Sequence, residues 1–292
     1  ALNQGDPAMD KVVDWMFENG PRHTKPLFDQ ALAAGIDSVP NAPDALKEFF
    51  ALVDRDPPWL DRSLLPLGAK SAQMSGPVGF FVLRDMALMG GYAYFNSMNQ
   101  TLGASGSLGK DTALRLGETG KWLNDVIEEG ALERFGVGFT TTIRVRMVHA
   151  LVRRNLLKNR DWDLDTWGLP INQVDMTATY LAFGPVTLLG ARLFGVPVRK
   201  QQAAATMHMW RYIGWLMGVD EQWLAITEGD GLRKLYHTFL THSLPDDKIR
   251  QLGQALRDEP LSRPLSGAGS QLLLARLKRW YQYQRHLSNS AL

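Results

Sequence analysis

Apolar residues recur at helical spacing along most of this 292-residue chain, and this pattern constrains the fold more than any other feature. In residues 9–18, for example, Met9, Val12, Val13 and Met16 fall on one helix face. Valine, isoleucine and threonine do not alternate with polar residues, and no Asn-Gly or Asp-Gly turn separates two alternating runs. The sequence therefore predicts an all-α protein with few strands.

The same spacing, with Pro and Gly as breaks, predicts further helices. They cover residues 27–34, 43–53, 76–98, 111–129, 140–158, 172–194, 198–218, 220–228, 231–242, 246–258 and 269–287. Asp56-Pro-Pro predicts a firm helix stop, and residues 103–109 and 259–268 are predicted loops. Composition does not shift along the chain and no internal repeat is present, so we expect one domain over residues 1–292.

Charge and cysteine content exclude several classes of function. Lys and Arg number 32 against 30 Asp and Glu, a net charge of +2, so we expect no nucleic-acid partner, which would need a clustered basic face. The chain has no cysteine, which excludes disulfides, iron–sulfur clusters and thiolate-ligated haem.

Two apolar stretches invite comparison with a transmembrane helix. Residues 74–98 contain Arg84 and Asp85 at mid-length, and residues 176–191 stop at Arg192, short of the roughly 20 residues that a spanning helix needs. We therefore expect buried core helices, no transmembrane segment and a soluble protein. The chain starts without Met and without a signal sequence, so either it has been shortened or a targeting segment has been removed.

His149 is the most distinctive of the six histidines because of its neighbours. At helical spacing, Thr142, Arg146, His149 and Arg153 form one narrow stripe of a mostly apolar segment. Burial and two adjacent cations would lower the pKa of His149 and keep its imidazole neutral, as a metal ligand requires. The arginines could then neutralise the carboxylates of a cofactor. The alternative, which spacing alone favours, is a helix edge with two solvated arginines and a hydrogen-bonded core histidine.

Residues 115–122 carry a second candidate group. Four side chains share one face of this predicted helix: Arg115, Glu118, Thr119 and Trp122. Gly117 and Gly120 interrupt the same helix, where each costs about 1 kcal/mol relative to Ala, so we expect something to pack close to the backbone there. A flat cofactor and a neighbouring helix would both do so. The alternative for Arg115 and Glu118 is a surface salt bridge.

Residues 207–218 form a third segment, rich in Trp, Tyr, Met and Leu, which are usually core residues. Arg211 lies among them and needs a partner, because burying an unpaired charge is costly. His208 is a less persuasive ligand than His149. The sequence has no His-x-x-x-His pair, Gly-x-x-x-x-Gly-Lys loop or Gly-x-Ser-x-Gly elbow, so zincin, phosphate-binding and serine-hydrolase functions lack support.

Three segments resemble the catalytic domain shared by bacterial latex clearing proteins, which are rubber oxygenases, and the fungal mycophenolic-acid-pathway oxygenase. They are residues 146–153, 167–175 and 210–218, and the resemblance covers about residues 75–245. It implies a globin-like all-α core with additional helices that encloses a b-type haem. His149 would be the axial iron ligand, and we predict Arg146, Arg153 and Arg211 as further haem-binding residues.

The resemblance departs on the distal side of the iron. Latex clearing proteins carry Arg-x-x-Lys-Thr upstream of the histidine, and here Glu118 stands where the Lys would fall, between Arg115 and Thr119. A distal lysine ligand is therefore not expected. Glu118 becomes an acid/base candidate, Arg115 and Thr119 are the other predicted catalytic residues, and water is the alternative sixth ligand.

The resemblance implies an oxidoreductase that uses haem b and dioxygen on an apolar, alkene or isoprenoid-like substrate, by oxidative C=C cleavage or another oxidation. The substrate would be a hydrophobic small molecule or a polymer, and rubber itself does not follow from the resemblance. The alternative is a non-catalytic haem- or lipid-binding helical protein. Oligomeric state stays open, as does the compartment, bacterial cytoplasm or an exported location.

Overall fold

The computed structural model describes residues 1–104, 112–158, 161–241 and 247–262, and within these ranges it is helical with no strand. The prediction of a single all-α domain is confirmed; its extent over residues 1–292 stays a prediction. The α-helices of the described ranges are, in chain order, α1 (Pro7–Glu18), α2 (Pro21–Ala34), α3 (Asp44–Val53), α4 (Leu65–Met74), α5 (Gly76–Phe81), α6 (Met89–Tyr94), α7 (Asn96–Ala104), α8 (Thr112–Ile127), α9 (Val137–Leu156), α10 (Leu164–Trp167), α11 (Gln173–Leu181), α12 (Thr187–Leu193), α13 (Lys200–Leu216), α14 (Glu228–Phe239) and α15 (Asp247–Ser262).

Two π-helical segments interrupt what the sequence predicts as continuous helices. Val82–Leu88 joins α5 to α6, and Ala182–Val186 joins α11 to α12. Pro185 lies in the second segment and lacks the N–H that an α-helix would use there, which gives that distortion a cause. The predicted helices 76–98 and 172–194 are therefore each several shorter elements.

Other elements also differ from the sequence analysis. Residues 65–74, for which no helix is predicted, form α4 although they contain Pro66 and Gly68; the proline lies in the first turn, where it is tolerated, and a Cβ on the glycine would approach Ala205 O of α13 to 2.6 Å. Residues 220–228 form only a 3₁₀ turn before α14, and residues 259–262 continue α15 rather than starting a loop. Predicted helix 269–287 and residues 105–109 of the first predicted loop lie outside the described residues, as do His242 and His286.

Most of the hydrophobic core lies between α1, α2 and α3 on one side and α9 and α13 on the other. The predicted inner face of α1 is buried there, and Phe28, Phe49 and Phe50 pack ring against ring in the same cluster as Ile143 of α9. A second cluster joins α11, α12, α13 and α14. The described residues contain no helix that is long and apolar enough to cross a membrane.

Helices α8 and α9 pack against each other in antiparallel register. A Cβ on Gly138, early in α9, would lie 2.8 Å from Cα of Val126, late in α8. One turn further along both helices, Trp122 Nε1 donates to Thr142 Oγ1 at 3.0 Å. This register decides which residues of the two helices lie at the same level.

Candidate functional site

The polar stripe predicted on α9 exists, and most of it is buried. Thr142 is inaccessible, Arg146 and Arg153 are only 4% and 2% exposed, and His149 keeps partial exposure. The alternative of two solvated arginines is therefore wrong. Two charges in such an environment need partners, since desolvating them without compensation is prohibitive.

Arg146 pairs with a carboxylate from the start of the chain. Its Nε and Nη2 donate to Asp6 Oδ2 and Oδ1 at 2.6 and 2.7 Å, and its Nη1 donates to Leu216 O at 3.1 Å. Gly218 leaves room for the pair, because a Cβ there would lie 2.6 Å from Asp6 Oδ2. A bidentate pair of this kind fixes the plane of the guanidinium group.

Arg153 is held in the same way, two turns further along α9. Its Nη1 donates to Asp10 Oδ1 at 2.5 Å, and its Nε and Nη2 donate to the carbonyls of Pro170 and Ile171 at 3.1 and 2.8 Å. Both arginines thus engage protein acceptors. The prediction that Arg146 and Arg153 bind haem carboxylates stays a prediction, and these contacts do not favour it.

The first residues of the chain connect the three segments that carry the resemblance. Besides the ion pairs to α9, Gln173 Nε2 donates to Gly5 O at 2.8 Å and to Gly218 O at 2.9 Å. Gln173 N also donates to Gln4 O at 2.9 Å. One short segment therefore bonds to α9, to the start of α11 and to the end of α13, and so connects them.

His149 differs from Arg146 and Arg153 because one of its ring nitrogens, Nδ1, has no hydrogen-bond partner among the described residues. This nitrogen is buried. Burial, and secondly the charge of Arg153, lower the pKa of His149 to about 4, against the opposing charge of Asp6. The imidazole is therefore neutral near pH 7. A neutral imidazole can donate a lone pair to a metal ion, and a buried polar atom without a partner calls for an explanation.

The register of α8 and α9 brings the second predicted group to the level of His149. From the hydrogen bond between Trp122 and Thr142, a step of two helical turns along each helix reaches Arg115 on α8 and His149 on α9. The two stripes found in the sequence therefore belong to neighbouring helices at one level of the fold.

Arg115 binds a tyrosine rather than Glu118. Its Nη2 donates to Tyr92 Oη at 3.1 Å, while its Nη1 is buried without a partner in the described part of the chain. Burial raises the pKa of Tyr92 although Arg115 opposes the shift, so the phenol stays protonated. Glu118 is exposed and, among the described residues, forms no ion pair with Arg115; Thr119 is partly buried. The surface salt bridge offered as the alternative for Arg115 and Glu118 is thus not formed.

Arg211 and His208 lie on α13, next to Trp59. The guanidinium carbon of Arg211 lies 3.9 Å from the centre of the Trp59 ring, a cation–π contact. Burial lowers the pKa of Arg211, and its Nε has no partner within the described ranges. His208 Nε2 accepts a hydrogen bond from Asp61 N at 2.9 Å, so this nitrogen, unlike Nδ1 of His149, already has a partner.

Gly117 and Gly120 face open space. A Cβ on either glycine would meet nothing within 4 Å, so the neighbouring helix that would explain them is absent from the described part of the structure. The flat cofactor stays a prediction. Nor do the described residues contain a cluster of three or more His, Asp or Glu side chains that could hold a metal ion without other ligands.

The family model for the catalytic domain of the ER-bound oxygenases mpaB/B' and the rubber oxygenases matches residues 80–289. The chain belongs to this family. The rubber oxygenase of Streptomyces sp. (strain K30) is 28% identical over 255 residues, and the match covers 84% of this chain but only 60% of that protein. A solved structure of latex clearing protein LCP in the closed state superposes with a TM-score of 0.76 at 20% identity, over 96% of this chain and 75% of that one.

The family match includes α8 and α9 but starts after the residues that hold α9 in place. Asp6 and Asp10 both precede residue 80, the first matched residue. Sequence reasoning missed them, because Asp6 before Pro7 is typical of a helix cap and needs no other role. Two buried arginines seven residues apart were the available signal, since they require two acidic partners somewhere in the fold.

Proposed function

We propose that this protein is a haem b-dependent oxygenase that uses dioxygen to cleave a carbon–carbon double bond of an apolar, isoprenoid-like alkene. The observation that carries the proposal is a pair of unsatisfied polar atoms at one level of adjacent helices. They are Nδ1 of His149 and Nη1 of Arg115, both buried and without partners among the described residues. Family membership supports the oxygenase class, and the name of the Streptomyces relative supports an isoprenoid substrate.

His149 would hold the haem iron. Its low pKa keeps a nitrogen lone pair free near pH 7. The pairs Arg146–Asp6 and Arg153–Asp10 lie one turn on either side of it and hold this stretch of α9 in place. When bound, the haem would supply the redox chemistry, while the protein supplies the ligand, the orientation and the exclusion of water.

Arg115 fits a role toward a polar or anionic group at the level of His149. Tyr92 holds one nitrogen of its guanidinium and leaves Nη1 to donate to a bound ligand. Thr119, one turn away on the same face, offers a hydroxyl to the same region. Because Arg146 and Arg153 already have acidic partners, Arg115 is the better candidate for a haem carboxylate at this level. Arg211, which stacks on Trp59, stays a predicted haem-binding residue.

The test starts with the visible spectrum of purified protein reconstituted with haem. We expect a Soret band that His149→Ala loses while helicity by circular dichroism is kept, and that His208→Ala retains. Oxygen uptake with polyisoprene and with terpenoid alkenes, and formation of carbonyl products, then tests the reaction. Near-normal haem content in a folded His149→Ala variant would overturn the ligand assignment.

A non-catalytic haem- or lipid-binding protein is the second candidate, and a large apolar cavity beside α8 favours it. The two functions differ in turnover alone. Haem-loaded protein that binds alkenes but consumes no oxygen with any of them would establish the second.

A further inference from the structure

The turn between α12 and α13 places two large apolar side chains in solvent. Leu193 is 69% exposed and Phe194 is 64% exposed, which makes them the most exposed leucine and the most exposed phenylalanine of the described residues. Leu189, one helical turn before Leu193 on α12, is also exposed. Single exposed apolar residues are common on protein surfaces, but a group of them in one place marks contact with another surface.

The end of α12 fixes how these side chains are presented. Val196 N donates to Ala191 O at 2.9 Å, and Gly195 N donates to Arg192 O at 3.0 Å. These two hydrogen bonds form a Schellman motif, and Gly195 has the left-handed conformation that the motif needs, with φ of +81°. The backbone of the turn is therefore held by its own hydrogen bonds, so the turn is a preformed element.

The residues that follow the turn are cationic. Arg199 and Lys200 lie at the start of α13, both are exposed, and neither forms an ion pair with a carboxylate of the described residues. Residues 176–219 contain no Asp or Glu, so the turn and the two helices that it joins provide no acidic side chain. Arg192 differs, because it pairs with Glu228 of α14. Two free cations thus lie a few residues after the exposed apolar side chains.

The exposed apolar surface continues onto α4 and α5. Met74 at the end of α4 and Phe81 at the end of α5 are both exposed. Gln202 Nε2 of α13 donates to Met74 Sδ at 3.2 Å, which brings α4 to the start of α13. The surface ends toward α8, which is followed by the exposed carboxylates of Glu128 and Glu129. One end of the fold therefore combines apolar side chains with cations and has its carboxylates at the margin.

We propose that the α12–α13 turn docks on a membrane surface that contains anionic phospholipids. Leu193 and Phe194 would enter the boundary between headgroups and acyl chains, where burial of apolar area is favourable. Arg199 and Lys200 would meet the lipid phosphates, since basic residues next to an anionic leaflet add to the attraction. A free anion would leave the apolar side chains in water, and an uncharged apolar surface would leave the cations unused. The combination selects an anionic bilayer, and it does not depend on the proposed function.

Cosedimentation of the haem-loaded full chain with vesicles tests the docking. We expect binding to vesicles of phosphatidylglycerol mixed with phosphatidylcholine at least about tenfold tighter than to phosphatidylcholine alone, the effect of 1.4 kcal/mol. Leu193→Ser combined with Phe194→Ser should weaken binding to the mixed vesicles by at least the same factor. Leu52→Ser combined with Leu157→Ser is the matched control, because both leucines are exposed but lie on α3 and at the end of α9.

The cations give a second readout. Lys200→Glu should weaken binding to the mixed vesicles at least about fivefold, the effect of about 1 kcal/mol for each basic residue near an anionic surface. The fold should be kept, since an acidic residue in the first turn of a helix is favourable. Arg22→Glu in the first turn of α2 changes the net charge by the same amount and should bind like wild type. Raising the salt concentration from about 0.1 M to about 1 M should weaken wild-type binding, because it shortens the range of charge interactions.

A label at the turn locates the contact. The chain has no cysteine, so Phe194→Cys accepts a single environment-sensitive fluorophore. Its emission should shift to the blue with mixed vesicles, whereas the same label at Leu52→Cys should not respond. A blue shift that grows with protein concentration in the absence of vesicles shows that a second copy of the chain covers the turn, and this overturns the proposal. Absence of vesicle binding overturns it as well, as does equal binding to both kinds of vesicle or unchanged affinity in the Leu193→Ser, Phe194→Ser variant.

Discussion

Helices α8 and α9 pack against each other, but they differ in how far the fold satisfies the hydrogen-bonding groups of their arginines. On α9 the guanidinium groups of Arg146 and Arg153 are held by carboxylates and carbonyls, and His149 alone in the stripe has a buried nitrogen without a partner. On α8 the guanidinium of Arg115 is only partly engaged, and Gly117 and Gly120 face open space. Under the proposed function, this difference would let α9 hold the haem while α8 leaves room for the substrate.

The largest expected effect on stability comes from removing the ion pair between Asp6 and Arg146 of α9. Asp6→Asn leaves the buried Arg146 without its counter-charge, which typically costs about 3–5 kcal/mol. Chemical denaturation of the haem-free protein measures this loss. Asp14→Asn is the control, because its pair with Arg154 is much more exposed and should contribute about 0–1 kcal/mol. Equal losses in both variants would show that the buried pair is not special.

The next effect is the contribution of His149 to the pH dependence of stability. Burial also lowers the pKa of His208, but His208 is present in both wild type and His149→Gln, so its contribution cancels between them. The pKa of His149 falls from 6.5 to about 4 on folding, so between these values the unfolded chain binds a proton that the folded protein does not. The free energy of unfolding therefore decreases as the pH falls from 6.5 to about 4, by at most about 3 kcal/mol at about pH 4. Above pH 6.5, His149 does not change the free energy of unfolding.

Thermal unfolding of haem-free wild type and His149→Gln, from about pH 7 down to about pH 4.5, isolates this contribution. The carboxylates titrate alike in both proteins, so their difference belongs to His149. If the two stability curves run parallel, the histidine is not held neutral by the fold.

The sequence predicts features that lie within one helix, but it does not predict contacts between residues far apart in the chain. The stripe on α9 and the face of α8 follow from spacing within one helix. The α9 stripe is found where the period puts it, whereas on α8 Arg115, Thr119 and Trp122 are partly buried and Glu118 is exposed. The partner of Arg146 lies 140 residues away, and helical periodicity contains no information about such a pairing. The π-helical segment Val82–Leu88 was missed because its sequence contains no proline or glycine that would mark a break in a helix.

On α8, Arg115→Met should reduce haem affinity or turnover about tenfold to a hundredfold. The estimate corresponds to the 1.5–3 kcal/mol of a hydrogen bond from a charged group. Tyr92→Phe is the matched variant: it removes only the neutral partner of Arg115 and should have a smaller effect, about 1 kcal/mol. Haem titration and oxygen uptake measure both. Should Tyr92→Phe prove the more harmful, the tyrosine rather than the arginine contacts the ligand.

The smallest effect is expected at Glu118, where sequence position and structure lead to different expectations. By resemblance Glu118 takes the place of a distal lysine, and an acid/base role there would make Glu118→Gln about 10²–10⁴-fold slower. The side chain is exposed, however, and Arg115 beside it turns to Tyr92 instead. We therefore expect Glu118→Gln to keep its haem and to change turnover by less than about threefold, as exposed substitutions usually do. Thr119→Val, which removes a partly buried hydroxyl on the same turn, should lower turnover more. Oxygen uptake by both variants at equal haem content decides the order, and a fall of a hundredfold in Glu118→Gln alone would return the acid/base role to Glu118.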